Sequence, residues 1–115
     1  MIEYSVDEFL TLRRQGAVPL LSASVYFLKN IHNNKVYIGQ SEKPLDRVFT
    51  HFTGRGNGDV YADYKYGADF LVRFYVFDPN QFRDINELEY HLIRIYESDK
   101  TGYNRQAGNR TRQFS

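Results

Sequence analysis

The densest apolar run of the chain is residues 70–77, Phe-Leu-Val-Arg-Phe-Tyr-Val-Phe. Its length and its aromatic and β-branched content predict a strand covered on much of both faces. Residues 24–30 (SVYFLKN) and 35–39 (KVYIG) read as two further strands, joined through His32-Asn33-Asn34 as a hairpin. Helical spacing is clearest in 85–97, where Leu88, Leu92, Ile95 and Tyr96 form the predicted apolar stripe and Asp84 the cap. Residues 5–15 predict a shorter helix: Ser5 and Glu8 have capping-box spacing, Val6, Phe9, Leu10 and Leu12 lean to one side, and Gly16 stops it. Pro44 opens a helix continuing through 45–52, with Ser41 as its candidate cap, and 60–66 makes another, ended by Gly67. Between these two, residues 53–58 (TGRGNG) are glycine-rich but lack the spacing of a known phosphate cradle, which makes a flexible loop.

The order helix, strand, strand, helix, helix, strand, helix predicts an α+β fold, a small three-stranded antiparallel sheet flanked by helices. Residues 1–23 form an N-terminal helix and linker, 24–104 the main domain and 105–115 a tail.

Composition narrows the chemistry. With 115 residues, 42% of them hydrophobic and 17% aromatic, the chain can build one well-filled core. It has no cysteine, so disulfides, thiolate zinc sites and a cysteine nucleophile are all excluded. His32, His51 and His91 have no paired spacing, so any metal is expected to be a hard ion held by carboxylate and water. Glu3, Asp7, Glu8, Arg13 and Arg14 interrupt any leader-like run, and no stretch is apolar enough to span a bilayer, so a soluble, cytoplasmic protein is expected. The net charge is only +1, yet Lys100, Arg105, Arg110 and Arg112 fall within residues 100–115, where there is no acid. A basic end on a near-neutral domain suits contact with phosphates, as it also suits a solubilising tail.

Candidate chemistry lies where polar groups interrupt the core pattern. Tyr26 and Tyr37 should be near neighbours in the hairpin. Arg47 and His51, four apart, share one helix face, where a guanidinium and an imidazole can bind an anion or the face can simply be solvated. Glu89 borders the apolar stripe of its helix, a place where a carboxylate pairs with arginine or holds a metal.

Taken together, these residues resemble the GIY-YIG nuclease family over 24–104. Ser24-Val25-Tyr26 stands where the GIY triplet belongs, and Tyr37-Ile38-Gly39 is the YIG triplet intact. Arg47 and His51 follow at the family's positions, Leu88-Glu89 matches the helix that carries its metal-binding Glu, and Gly102-Tyr103-Asn104 matches its closing GYN element. The chain departs from the pattern at Ser24, which replaces a glycine but no catalytic group.

The resemblance implies an endonuclease hydrolysing DNA phosphodiester bonds with one Mg²⁺ or Mn²⁺ on Glu89. It implies Arg47 as stabiliser of the phosphate and Tyr26 as general base, its phenol brought within range by Arg47 and the metal, with His51 accepting its proton. Tyr37 would position water or phosphate, or exchange roles with Tyr26, and Asn104 would orient the site. Arg55, Arg105 and Arg110 are candidate DNA contacts, together with loop 53–58 and the tail. A catalytically silent nucleic-acid-binding or interaction module on the same fold, and an RNA-directed nuclease, stay open. Specificity would come from a protein partner, from self-association or from the shape of the substrate.

Overall fold

A computed structural model describes residues 1–19 and 21–105. A four-stranded antiparallel sheet carries helices on both faces. In chain order the elements are β1 (Ile2–Ser5), α1 (Val6–Arg14), β2 (Ser24–Asn30), β3 (Val36–Ser41), α2 (Pro44–Thr53), α3 (Gly58–Lys65), β4 (Phe70–Val76), α4 (Ile85–Tyr96) and α5 (Ser98–Thr101). The strands lie in the order β1-β4-β2-β3. The α+β expectation holds, and so does the extra N-terminal helix.

The fourth strand is the main addition. β1 pairs antiparallel with β4, from Ile2 opposite Phe74 to Ser5 opposite Leu71. Four residues alternating with a charge carry too little pattern to read as a strand alone. The partner supplies the signal: Glu3 lies opposite Arg73, and its carboxylate accepts from Arg73 Nε at 2.5 Å. Such cross-strand pairs set register more than they add stability. Because β1 covers its outer edge, β4 is an inner strand, as its apolar run predicts.

Alternation along the strands builds two cores. On one face Tyr26, Leu28, Val72 and Phe74 meet Val6 and Phe9 of α1, Val48 and Phe52 of α2, and Val60 of α3. On the other, Val25, Phe27, Val36 and Ile38 meet Leu88, Leu92 and Ile93 of α4. β2 contributes to both, and only Lys29 of its residues is less than buried. On the first face Arg13 of α1 also reaches α2, with its guanidinium 3.9 Å from the Phe49 ring centre and 3.1 Å from Asp46 Oδ1.

Helix boundaries follow their caps. Ser5 accepts from the Glu8 N–H and Asp84 from the Glu87 N–H, as their spacing predicts. Ser41 is not the cap of α2. It ends β3 and its hydroxyl accepts from the Lys43 N–H, while α2 starts on Pro44, whose preset φ needs no cap. α3 starts at Gly58, earlier than its apolar pattern suggests, because the Asn57 side chain caps the N–H groups of Asp59 and Val60. The stripe of α4 is also rotated from its expected setting. Leu88, Glu89, Leu92 and Ile93 are buried, while Ile95 is 57% exposed and Tyr96 37%. Ile95 lies about a quarter turn from the centre of the buried stripe formed by 88, 89, 92 and 93, at its edge, and faces outward. Glu97 closes α4 in the left-handed region (φ 50°) and α5 follows directly, an element too short to show periodicity. Among the described residues no helix is long and apolar enough to cross a membrane.

Burial separates residues of similar type. Phe9 is fully buried against Phe74, with ring centres 5.8 Å apart. Phe9→Ala is expected to lower unfolding free energy by about 3–5 kcal/mol, and Ile95→Ala by less than about 1 kcal/mol. Urea titration of both variants checks this. Equal losses would mean that α1 is not part of the core or that α4 is turned differently.

Candidate active site

The hairpin and α2 bring four of the expected side chains together. In the β2–β3 register Tyr26 is opposite Gly39 and Leu28 opposite Tyr37, so the two phenols share a face, offset by one pleat. Their ring centres are 6.1 Å apart. Gly39 is where the phenol of Tyr26 crosses its partner strand: a side-chain carbon there would collide with the Tyr26 hydroxyl. Ser24, in place of the usual glycine, is buried and its hydroxyl donates to the Ser22 carbonyl at 2.9 Å, so the departure leaves no orphaned polar atom.

From α2, His51 inserts between the phenols, its ring centre 5.3 Å from that of Tyr26 and 5.0 Å from that of Tyr37. It is wholly buried, which rules out the solvated-face reading for this residue. Its Nε2 lies 2.9 Å from the Tyr26 hydroxyl and its Nδ1 accepts from the Asn57 backbone N–H at 2.8 Å. One turn earlier, Arg47 is exposed, its guanidinium donates to the Thr50 hydroxyl at 3.3 Å, and its charge acts on the Tyr26 phenol.

Burial dominates the electrostatics. It pushes the Tyr26 phenol well above its ordinary range, the neighbouring Tyr37 adds to this, and Arg47 only partly opposes it. Arg47 thus works in the expected direction, but it does not bring this phenol within reach of neutral pH. Burial first, and then the Arg47 charge, push His51 down to about 4, so the ring is neutral at pH 7. A neutral imidazole that accepts at Nδ1 carries its proton on Nε2. His51 therefore donates to Tyr26 instead of accepting its proton, the reverse of the expected direction.

The remaining candidates are placed differently. Asn104 reaches the backbone of β3: its Oδ1 accepts from the Ile38 N–H and its Nδ2 donates to the Ile38 carbonyl, both at 2.8 Å. Both ends of the amide are engaged on the backbone of Ile38, between Tyr37 and Gly39, consistent with an orienting part. Glu89 is buried on α4, which packs on the opposite face of the sheet. Its neighbour Asn86, on the same helix face, accepts from Gln40 Nε2 of β3 at 2.5 Å. Edge strand β3 thus lies between the Tyr-Arg-His cluster and the helix of Glu89. Arg55 is exposed, Arg105 lies 3.5 Å from Asp59 in an exposed ion pair, and Arg110 and the rest of the tail lie outside the described residues. Gly56 and Asn57 fall in loop 53–58, expected only as a substrate contact; that they enclose His51 was not legible. Their only trace is a Gly-Asn-Gly turn directly after the helix that carries the histidine.

A buried neutral histidine leaves a mark on stability. Between pH 6.5 and about 4 the unfolded chain binds a proton at His51 that the folded protein refuses. Stability is therefore lost as pH falls through that window, by at most on the order of 3 kcal/mol. Urea midpoints at pH 7, 5 and 4 should fall more steeply for the native chain than for His51→Gln. Parallel slopes would show that the ring is not held neutral.

Among solved structures, one match is a point-mutant form of the catalytic domain of the intron endonuclease I-TevI. The identity is 25%, with 76% of this chain and 97% of that one covered and a TM-score of 0.56. No curated protein sequence matches the chain. The family model of the GIY-YIG catalytic domain matches residues 22–104, from just before the first triplet to Asn104. The paired strands that stack Tyr26 beside Tyr37, and the helix that inserts His51 between them, are thus those of a nuclease core, and the chain belongs to the GIY-YIG family.

Proposed function

We propose that the chain is a metal-dependent endonuclease that hydrolyses DNA phosphodiester bonds at the cluster of Tyr26, Tyr37, Arg47 and His51, with Glu89 as metal ligand and Asn104 orienting the site. The observation that carries this reading is the buried His51–Tyr26 hydrogen bond beneath an exposed Arg47. Packing alone gives no reason to bury an imidazole and a phenol against each other below an unburied guanidinium.

Hydrolysis here means attack of a water oxygen on phosphorus and rupture of the bond to O3′. One phenol of the Tyr26–Tyr37 pair, in its deprotonated form, takes the proton of the water and later returns it to solvent. The departing O3′ acquires a proton from solvent. Arg47 sits at the mouth of the cluster, where its fork can bind the non-bridging oxygens as charge builds on them. The match to an endonuclease catalytic domain, and the charge of the C-terminal segment, support DNA as the substrate.

A single buried carboxylate on a helix is a donor set that fits a hard cation keeping most of its water. Among the described residues there is no group of three His, Cys, Asp or Glu side chains that would cage a softer metal. Bound through Glu89, Mg²⁺ or Mn²⁺ would supply Lewis-acid stabilisation of the phosphate and of the leaving oxygen. Arg55, Arg105 and Arg110 remain candidate backbone contacts, and a partner or a second copy the candidate source of specificity.

Supercoiled plasmid and branched DNA incubated with Mg²⁺ are expected to be cut, and a chelator should stop the reaction. Arg47→Ala and Glu89→Ala should each reduce kcat by about 10²–10³-fold. Absence of metal-dependent cutting on either DNA would favour the silent-module reading, and cutting of RNA alone would redirect the substrate.

The pH dependence is equally specific. A phenol base is almost wholly protonated at neutrality, so the rate should climb steadily from pH 7 to 9. No inflection is expected near 6.5, because His51 titrates near 4. A bell-shaped profile centred near pH 6.5 would assign the base to a histidine instead.

A further inference from the structure

Helix α2 sorts its charges by side. Lys43 at its N-cap, Arg47 one turn on and Thr50 three residues further fall within about 60° of each other around the axis. Lys43 and Arg47 are exposed, and the Thr50 hydroxyl, which accepts from Arg47 Nη1 at 3.3 Å, keeps the guanidinium laid along this face. Beyond the last turn Gly54 leads the chain out of the helix in the left-handed region (φ 94°). Exposed Arg55 follows, its N–H still bonded to the Thr50 carbonyl at 3.0 Å. Three cations thus run the length of α2. Four residues advance a helix by about 6 Å, close to the step between neighbouring phosphates along one strand.

Asp46 is the one acid within α2, and it borders that face, about 40° around the axis from Thr50. A bare carboxylate there would repel a phosphate strand lying on Lys43 and Arg47. It is not bare. Arg13 of α1 donates to Asp46 Oδ1 at 3.1 Å while its guanidinium stacks 3.9 Å from the Phe49 ring centre. Stacking on an aromatic ring holds the planar guanidinium in place, which a loose surface pair would not do. Glu42, just ahead of the helix, lines a groove with Leu21, Lys43, Leu45 and Asp46 to which Arg47 does not contribute. At the far end of the track the pattern repeats: Asp59, in the first turn of α3, lies 3.5 Å from Arg105. Neither arginine falls within residues 22–104, the span matched by the family model.

We infer that Lys43, Arg47 and Arg55 form a track for the phosphate backbone of one DNA strand, and that α1 serves this track through Arg13, which masks Asp46 at its border. This rests on the nuclease reading above and deepens it: Arg47 takes the scissile phosphate, and Lys43 and Arg55 take phosphates to either side. Contacts of this kind add affinity and register without reading bases. The N-terminal unit fills the core with Val6 and Phe9, and by the same packing becomes part of the substrate surface.

Anisotropy of a fluorescein-labelled DNA duplex, titrated with the full chain in chelator across a series of salt concentrations, tests this without any cutting. Lys43→Ala and Arg55→Ala should each reduce the slope of log K against log salt by about 0.9 in magnitude. In the plasmid assay both should raise KM with little change in kcat. Arg13→Ala should weaken binding by about fivefold at low salt and by less at high salt. Adding Asp46→Asn to Arg13→Ala should restore native affinity, which a variant that had merely lost its fold could not show. Lys65→Ala, which removes an exposed cation at the other end of α3, should keep the native slope; an equal fall there would reduce the effect to net charge and overturn the track. Native slopes in Lys43→Ala and Arg55→Ala overturn it too, even if the protein cuts DNA. An equal loss from Arg13→Ala with and without Asp46→Asn overturns the masking. Should the slopes and the rescue appear while neither plasmid nor branched DNA is cut, the nuclease reading has failed and the track stands.

Discussion

A phenol and an imidazole taken out of water together are the constraint around which this domain is arranged. Neither can be buried unpaired without a cost of about 1–3 kcal/mol, so Tyr26 and His51 must meet, and they do so at 2.9 Å. That meeting dictates much else. Position 39 must be glycine so that the phenol can cross β3. The second imidazole nitrogen must find a donor, so the loop after α2 folds back to present one. The same loop then starts α3, which completes the core on that face of the sheet with Val60. The geometry of the candidate site and the hydrophobic packing are here two descriptions of one set of contacts.

Much of this was legible because the relevant signals are local. The hairpin follows from two β-rich runs around an asparagine turn, and its register follows from the turn's position, which placed Tyr26 near Tyr37. The i, i+4 spacing put Arg47 and His51 on one face of α2. Capping residues Ser5 and Asp84 carry their own side-chain signal. What escaped was decided by partners remote in sequence. β1 exists because β4 offers an edge, and the four residues of β1 could not announce this alone. The rotation of α4 depends on how β2 and β3 present Val25, Phe27, Val36 and Ile38, so the choice between Ile93 and Ile95 as the inward residue was open to periodicity.

The site shows the same division. Residue types and order were readable; their electrostatic states were not. A sequence does not display desolvation, and desolvation is the first cause of the shifts at both Tyr26 and His51. Arg47 was correctly expected to pull the Tyr26 phenol down, but the competing effect is the larger one. Likewise the donor and acceptor roles of His51 turn on a backbone N–H, which any residue but proline would supply at position 57.

The attachment of residues 103 and 104 to β3 bears on how the molecule meets its own kind. β3 is the outer strand on that side of the sheet, and an outer strand ordinarily offers its backbone to any extended chain. Here Tyr103 N–H takes the Val36 carbonyl and Asn104 takes both polar groups of Ile38. The terminal segment behaves as a cover strip, and the Tyr103 hydroxyl, bonded to Asp63 and Asn30, fastens it to α3 and β2. Copies of the protein cannot join sheet to sheet along this stretch of the β2–β3 hairpin while the strip is in place. Edge-to-edge growth is thereby blocked at the strand that bears Tyr37.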